Sequence, residues 1–594
     1  EYHGTGLYQY DLDTPEDWTD KRIWIRLGAA YHDATVYLTG TEIGRQSRSG
    51  YTPFTMELTK YLRMNGNNKL TVSVDNRFST DMLPYCRSFD WANDGGLIRP
   101  VTLYVTGERK LKSVQVTAKP VITAENCRQD SGAAIFGLNE VIDGEINKGS
   151  ELCWALYSGA DAEAGKVNPI AQGSVPCDGK AAEVPGQLLS DIKFWHFDNP
   201  NLYKLHITLR NGDTVEDTVS ITTGFRDFHI QGDRFCLNGE AVRLCGTEWM
   251  PGSDPVYGAA EPEKQLEKML ILLKESNCVF TRFHWQQDDF VYDWCDRHGM
   301  LVQEEVPFWG KDPETASSLQ LEIFKQQADE MVEAHRNHPS IFSWGVGNEL
   351  DAQADETIQY IKDSLAYIHT LDQSRPASYV SNSYYKDAGR DGVIFSDFMM
   401  INEYAGTWHE GQEANENIQR VLKANPGKPI VPSEFGLCEP AFSGGDQRRE
   451  SIFLEKMDTY RKYPQIAGTI YFCLNDYRTQ MGEAGAGKYR NRIHGSAEMN
   501  GSPKPSYYVV QRECAPFTLT SDNGHLALSC RDNLPCYSIR GYHIRLLDGE
   551  GKLLREILLP DLQPGDLFET EAEEAVKLAV FRPSGDCAGI YSLI

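Results

Sequence analysis

SIFSWGVGNEL, residues 340–350, decides how this chain is read. From Ile341 to Val346 it is an apolar run with the look of a buried strand, yet it carries an amide, Asn348, and a carboxylate, Glu349, into its last turn. Burying a carboxylate is costly unless the charge is paired or put to use. A polar pair at the C-terminal end of an apolar strand is the place where a (β/α)8 barrel keeps its chemistry.

The segments on either side repeat one rhythm. EPEKQLEKMLILLKESN (261–277) has apolar residues at i, i+3 and i+4, the pattern of an amphipathic helix, and runs into the strand CVFTRFHW (278–285). VYDWCDRHG is followed by MLVQEEVPFWG, LEIFKQQADEMVEAHRNHP by the opening stretch, DETIQYIKDSLAYIHTLD by PASYVSN, and NIQRVLKANP by IVPSEFG. Helix and strand alternating over 225–515, with no nucleotide-binding fingerprint, predict a TIM barrel in preference to an open doubly wound sheet.

The flanks differ. Residues 1–108 hold short alternating segments (RIWIRLGAA, ATVYLTG, KLTVSVDN, PVTLYVTG) between Gly, Asn and Asp turns, which predict an all-β sandwich. Residues 109–224 repeat the pattern more weakly (KSVQVTAKPVI, YKLHITLRNGDTVEDTVSITTG), as a second sandwich of immunoglobulin-like size. Short strands return in 516–594 (GHLALSC, SIRGYHIRLLD, AVKLAVF), a small C-terminal β module. The first residues, EYHGTGLYQYDLD, read as the inside of a strand, so sequence upstream of Glu1 is expected.

The balance of 85 acidic against 58 basic residues gives a net charge of -27, which repels nucleic acid and anionic membranes and excludes both as partners. No apolar run reaches the ~18 residues of a membrane span, and no basic and apolar leader opens the chain. The 14 cysteines are scattered without a C-x-x-C pair, which predicts free thiols and a cytoplasmic protein; a homo-oligomer is compatible with all of this.

Four predicted strand ends carry polar groups: Arg282 with His284, Glu304 with Glu305, Asn348 with Glu349, and Glu434. Two glutamates on separate strands of one barrel can face each other across a sugar, and a separation of ~5–5.5 Å gives retention of configuration. A wall of Trp and Tyr would raise the acid by desolvation, while the nucleophile needs donors to stay ionised.

NHPSIFSWGVGNE (337–349) and KPIVPSEFG (428–436), with their glutamates about 85 residues apart, resemble the motifs of glycoside hydrolase family 2, which holds β-galactosidases, β-glucuronidases and β-mannosidases. YTPF (51–54) and DGGLIRPVTL (94–103) look like turns of that family's first sandwich, which implies a sugar-binding jelly-roll for residues 1–108, so the resemblance extends over nearly the whole chain. It implies Glu349 as acid/base, Glu434 as nucleophile, Asn348 as partner of the sugar 2-hydroxyl and Tyr404 as support for the nucleophile. It further implies Trp408, His284 and Asp90 as substrate contacts, Asp90 reaching over from the first sandwich. The Asn-x-Lys pair by which β-glucuronidases of the family hold the substrate carboxylate becomes Arg492 and His494 in GKYRNRIHG (487–495). With Lys488 and Arg490 this loop is basic in an acidic protein, and an arginine fork can grip a carboxylate. The large β-galactosidases hold magnesium through a Glu-x-His that here reads Glu305-Val306-Pro307, so no metal or cofactor is expected.

The chain is therefore expected to be a retaining, exo-acting β-D-glycosidase on small-molecule or oligosaccharide β-glycosides, with a β-uronide favoured over a neutral β-galactoside. The rival from another class is a carbohydrate-binding protein that has lost turnover; independently of it, the basic loop has an alternative reading as a solvated surface turn paired with surplus acidic groups.

Overall fold

The computed structural model describes residues 2–84, 89–123, 130–144, 149–162, 166–177, 179–310, 318–481, 491–522, 524–572 and 574–593. Among them eight strands form the barrel: β1 (Leu244–Glu248), β2 (Phe280–Phe283), β3 (Leu301–Glu305), β4 (Ile341–Asn348), β5 (Ala377–Ser381), β6 (Met399–Asn402), β7 (Ile430–Glu434) and β8 (Gly468–Phe472). Strands β2 to β7 pair in chain order, and β1 pairs with β8 in parallel, Leu244 opposite Gly468. The seams close where the Val279 amide donates to the Cys245 carbonyl (3.2 Å) and the Ala467 amide to the Ile430 carbonyl (2.9 Å). Every residue of these strands is buried, as in a parallel sheet wrapped by helices.

The wrapping helices are α1 (Glu263–Glu275), α2 (Asp289–His298), α3 (Ser318–His335), α4 (Asp355–Leu371), α5 (Ala414–Ala424), α6 (Gly445–Arg461) and α7 (Pro505–Glu513). Helix α1 buries Leu266, Met269, Leu270 and Leu273, the stripe its sequence spacing predicts. Helix α2 starts where the Asp288 carboxylate accepts from the Phe290 amide and stops at Gly299, whose φ of 72° suits a residue without a Cβ. Between β5 and β6 a short 3-10 turn, Gly392–Phe395, stands in for a helix.

The first barrel strand, β1, is preceded by a ribbon. Residues 228–242 form an antiparallel ribbon (Phe228–Gln231, Arg234–Leu237, Glu240–Val242) and contribute no barrel strand. The ribbon plugs the end of the barrel opposite the site. Phe235 packs within 6.2 Å of Phe280, 6.3 Å of Phe342 and 5.2 Å of Phe398, ring to ring.

Upstream stand two β-sandwiches. In the first, a four-stranded sheet (Thr5–Leu12, Asn68–Asp75, Asp33–Leu38, Thr41–Gln46) shares a core with a three-stranded one (Phe54–Glu57, Arg22–Leu27, Val101–Thr106) through residues such as Ile25, Val36 and Val72. In the second, sheets of three and four strands meet over Phe136, Trp154, Leu205 and Ile207. The C-terminal strands make another pair of sheets around Leu528, Ile544 and Val580. The described cysteines are free thiols, and no described helix is long and apolar enough to cross a membrane.

Candidate active site

A cavity of about 230 Å³ opens at the C-terminal ends of the barrel strands. Nine of the ten residues singled out in the sequence line it: Asp90, His284, Asn348, Glu349, Tyr404, Trp408, Glu434, Arg492 and His494. The tenth, Lys488, lies outside the described residues, as does Arg490.

Glu349 gets there by a bend in β4. Gly347 has φ 146°, and a Cβ on it would sit 3.1 Å from the Phe308 carbonyl oxygen. Glu349 itself has φ 59°, the left-handed region that costs a residue with a side chain about 1–3 kcal/mol unless its surroundings hold it. The Glu349 amide, donating to the Val380 carbonyl at 2.9 Å, is one such hold. Its carboxylate accepts from the Asn402 amide group (2.7 Å), which also donates to the Asn348 Oδ1 (3.1 Å). The Asn348 Nδ2 has no partner within the protein. It stands as a buried donor on the wall of the cavity.

Glu434, the last residue of β7, is held by stronger donors. Its Oε1 accepts from Arg282 Nη1 (2.8 Å) and its Oε2 from the Tyr404 hydroxyl (2.9 Å). Burial pushes the Tyr404 hydroxyl up, and the charges of Glu434 and Glu349 add to that, so it remains a donor. Burial also pushes the Glu434 carboxyl up, and Glu349 adds to the rise, while Arg282 and Tyr404 pull against it and favour the carboxylate.

Arg282 is the hub beneath the floor. It lies 3.2 Å from Glu248 and 3.5 Å from Glu305 as well as bonding Glu434, and its Nη2 donates to His284 Nδ1 (3.0 Å). That bond leaves the ring proton of His284 on Nε2. Burial and Arg282 keep the ring neutral by pushing it well down, and Trp91 of the first sandwich stacks on it, 5.7 Å between centroids. Glu248, His284 and Glu434 bring potential ligand atoms within 4.8 Å of one another, but the Arg282 guanidinium already supplies the positive charge there, so the cluster suits no cation.

At the rim Asp90 crosses from the first sandwich. It accepts from Tyr477 (3.0 Å) and Thr479 (2.8 Å) and forms an ion pair with Arg492, whose guanidinium lies 5.5 Å over the Trp408 ring. Trp408 is 39% exposed, at the entrance. Burial, helped by Arg492 and Arg449, pushes His494 well down, so it too is neutral. Of the other tryptophans near the ends of barrel strands, Trp309 lines the cavity, while Trp249 and Trp285 are packed into cores.

The family of the chain follows from its matches. The TIM barrel domain of the glycosyl hydrolases family 2 matches residues 228–464, the sugar binding domain of the same family residues 1–107, and a third portion of it residues 161–226. The chain belongs to glycoside hydrolase family 2. It is 27% identical over 540 residues to a β-galactosidase of Thermoanaerobacterium thermosulfurigenes, covering 87% of this chain and 69% of that one. It is 25% identical to a β-glucuronidase of Bacteroides fragilis (80% and 70% covered) and 26% to human β-glucuronidase (72% and 68%). Among solved structures it is similar to the Bifidobacterium dentium β-glucuronidase complexed with coumarin-3-O-glucuronide, with a TM-score of 0.77 at 22% identity, covering 87% and 89% of the two chains. That likeness concerns the fold. The protein is thus a glycoside hydrolase, a family 2 β-glycosidase built of two N-terminal β-sandwiches, a TIM barrel and a C-terminal β domain.

Sequence reasoning left three parts of this family 2 site unassigned. Arg282 was visible at a strand end but had no role. Asn402 closes β6, a strand of four residues, and the rule that polar groups at strand ends face the site would have found it. Glu248 ends β1, a strand that the sequence pattern does not mark.

Proposed function

We propose that the chain is a retaining, exo-acting β-D-glycosidase that works by double displacement. One observation carries this: two glutamates line one cavity, and their donors differ in kind. Closely coupled carboxyls share protons as a pair, and hydrogen bonds decide where a proton sits. Glu434 accepts from a guanidinium and a phenol, which favour the carboxylate, whereas Glu349 accepts from a neutral amide. Glu434 therefore attacks the anomeric carbon, and Glu349 protonates the departing oxygen. Once Glu434 is an ester its charge is gone, Glu349 becomes a stronger acid, and the carboxylate left behind takes a proton from water. The unpartnered Asn348 Nδ2 is available to the sugar 2-hydroxyl.

The sugar class turns on Arg492. A uronide needs a cation that no protein group already neutralises, because a buried carboxylate without one is costly. On the described walls Arg492 is paired with Asp90 and His494 is neutral, which supports a neutral β-galactoside over the β-uronide that the basic loop suggested.

The test is kcat/KM on nitrophenyl β-galactoside, β-glucuronide and β-galacturonide, with NMR of the first-formed product. Galactoside should lead by about tenfold or more, the cost of one poorly met polar group, and the β-anomer should appear first. The opposite ranking would restore the uronide reading. A protein inert towards every β-glycoside would point to the carbohydrate-binding rival.

A further inference from the structure

Glu248, at the end of β1, is fully buried, and neither of its carboxyl oxygens has a hydrogen-bond partner. Its nearest polar neighbours are Arg282 Nη1, 3.2 Å from Oε2, and His284 Nε2, 3.3 Å from Oε1. The same Nη1 donates to Glu434 at 2.8 Å, and Nη2 lies 3.5 Å from Glu305. One guanidinium thus stands among three buried carboxyls. Three negative charges cannot share one positive charge without water, since like charges this close push at least one group neutral.

Which carboxyl gives way follows from the donors around each. Glu434 has two strong donors; Glu305 accepts from the Gln303 side chain (3.3 Å) and has the long Arg282 contact. Glu248 accepts no hydrogen bond of ordinary geometry. The groups facing it are Arg282 from β2 and His284 just beyond it, Glu305 from β3, Glu434 from β7, Cys473 just beyond β8, and Asp90 from the first sandwich. Arg282 alone among these favours its charged form strongly.

We propose that Glu248 is a positioning residue, a neutral carboxylic acid that leaves the Arg282 charge to Glu434 and keeps the nucleophile ionised and aimed. This rests on the reading of Glu434 as nucleophile. Burial, which pushes Glu248 well above the usual carboxylate range, acts in the same direction. An ionised Glu248 would compete for Nη1 and draw the guanidinium off the nucleophile. A neutral one fills the same volume without competing.

The experiment compares the wild-type chain with Glu248→Gln and Glu248→Ala. Glutamine keeps the size and the neutrality, so kcat/KM should stay within about threefold and the acid limb of its pH profile within about 0.3 pH units. Alanine removes the group that packs under Arg282, and kcat/KM should fall about tenfold or more with the acid limb moved to higher pH as Arg282 shifts from Glu434. Difference infrared spectroscopy at neutral pH should show a protonated carboxylic acid band that is missing from Glu248→Gln. If that band is absent from the wild type, or if glutamine moves the acid limb down by about one pH unit, as removal of a neighbouring negative charge does, Glu248 is ionised and the proposal is wrong. The infrared readout needs no turnover, so it stands should Alanine fail to fold. The nucleophile reading has its own marker: Glu434→Gln that still turns over would sink it and leave the infrared result untouched.

Discussion

At the scale of single residues, the chemistry comes down to how two carboxyl groups of the same kind are made different. Glu349 should be replaceable at a defined cost: Glu349→Ala is expected to lose about 10²- to 10⁴-fold in kcat/KM on substrates with poor leaving groups, the usual worth of a general acid. The loss should be smaller on nitrophenyl glycosides, which need little protonation, and azide should restore turnover with formation of a β-glycosyl azide, identified by NMR. Tyr404→Phe tests the other carboxyl. Burial already pushes Glu434 up, and Tyr404 is one of two donors resisting that rise. Without the hydroxyl the neutral form gains, so ionisation occurs at higher pH. The acid limb of kcat/KM, where activity rises as the nucleophile ionises, should move up by about half to one pH unit.

At the scale of elements, the ribbon at residues 228–242 and the second sandwich make separate predictions. Phe235 sits among three barrel phenylalanines, so Phe235→Ala should cost about 3–5 kcal/mol, read from urea unfolding, with little change in KM. In the second sandwich Glu140, on the strand Ser131–Asp143, is buried with both oxygens unpartnered, and burial pushes its carboxyl up to about 9. A carboxyl raised by folding binds more protons folded than unfolded, so its contribution favours the fold below the ordinary carboxylate range and is lost as pH climbs towards 9. Glu140→Gln carries no such loss. The difference in Tm between variant and wild type should therefore widen in favour of the variant from pH 5 to pH 9, by differential scanning calorimetry.

The same scale explains what could be read in advance. Strands β4 and β7 announce themselves because each is an apolar run that ends in a motif, Asn348-Glu349 or Ser433-Glu434. Strand β1 does not: LCGTE is five residues with one strongly apolar side chain at its head, directly after a ribbon that is also β, so no change of periodicity marks its start. Asn402 was hidden for a similar reason, since MMIN is too short to show a pattern. The pairing of Asp90 with Arg492, 402 residues apart, has no local signature; the sequence supplied both residues as rim candidates but not their mutual neutralisation.

At the scale of the whole molecule, that ion pair joins two domains at the mouth of one cavity. Asp90→Asn keeps the shape and removes the negative charge with which Arg492 pairs. Galactoside hydrolysis should fall while activity on β-glucuronide and β-galacturonide holds or rises, shifting the ratio of the two kcat/KM values by about tenfold. The first sandwich also lends Trp91 to the stack on His284 and, through Arg99, bonds to the Gln286 carbonyl just beyond β2. A barrel folded alone would thus possess both glutamates and still lack a wall. Catalysis in this protein is a census of assembled molecules: in mild urea the signal from a chromogenic glycoside should fade while the helical circular dichroism of the barrel persists, because undocking silences the enzyme before anything melts.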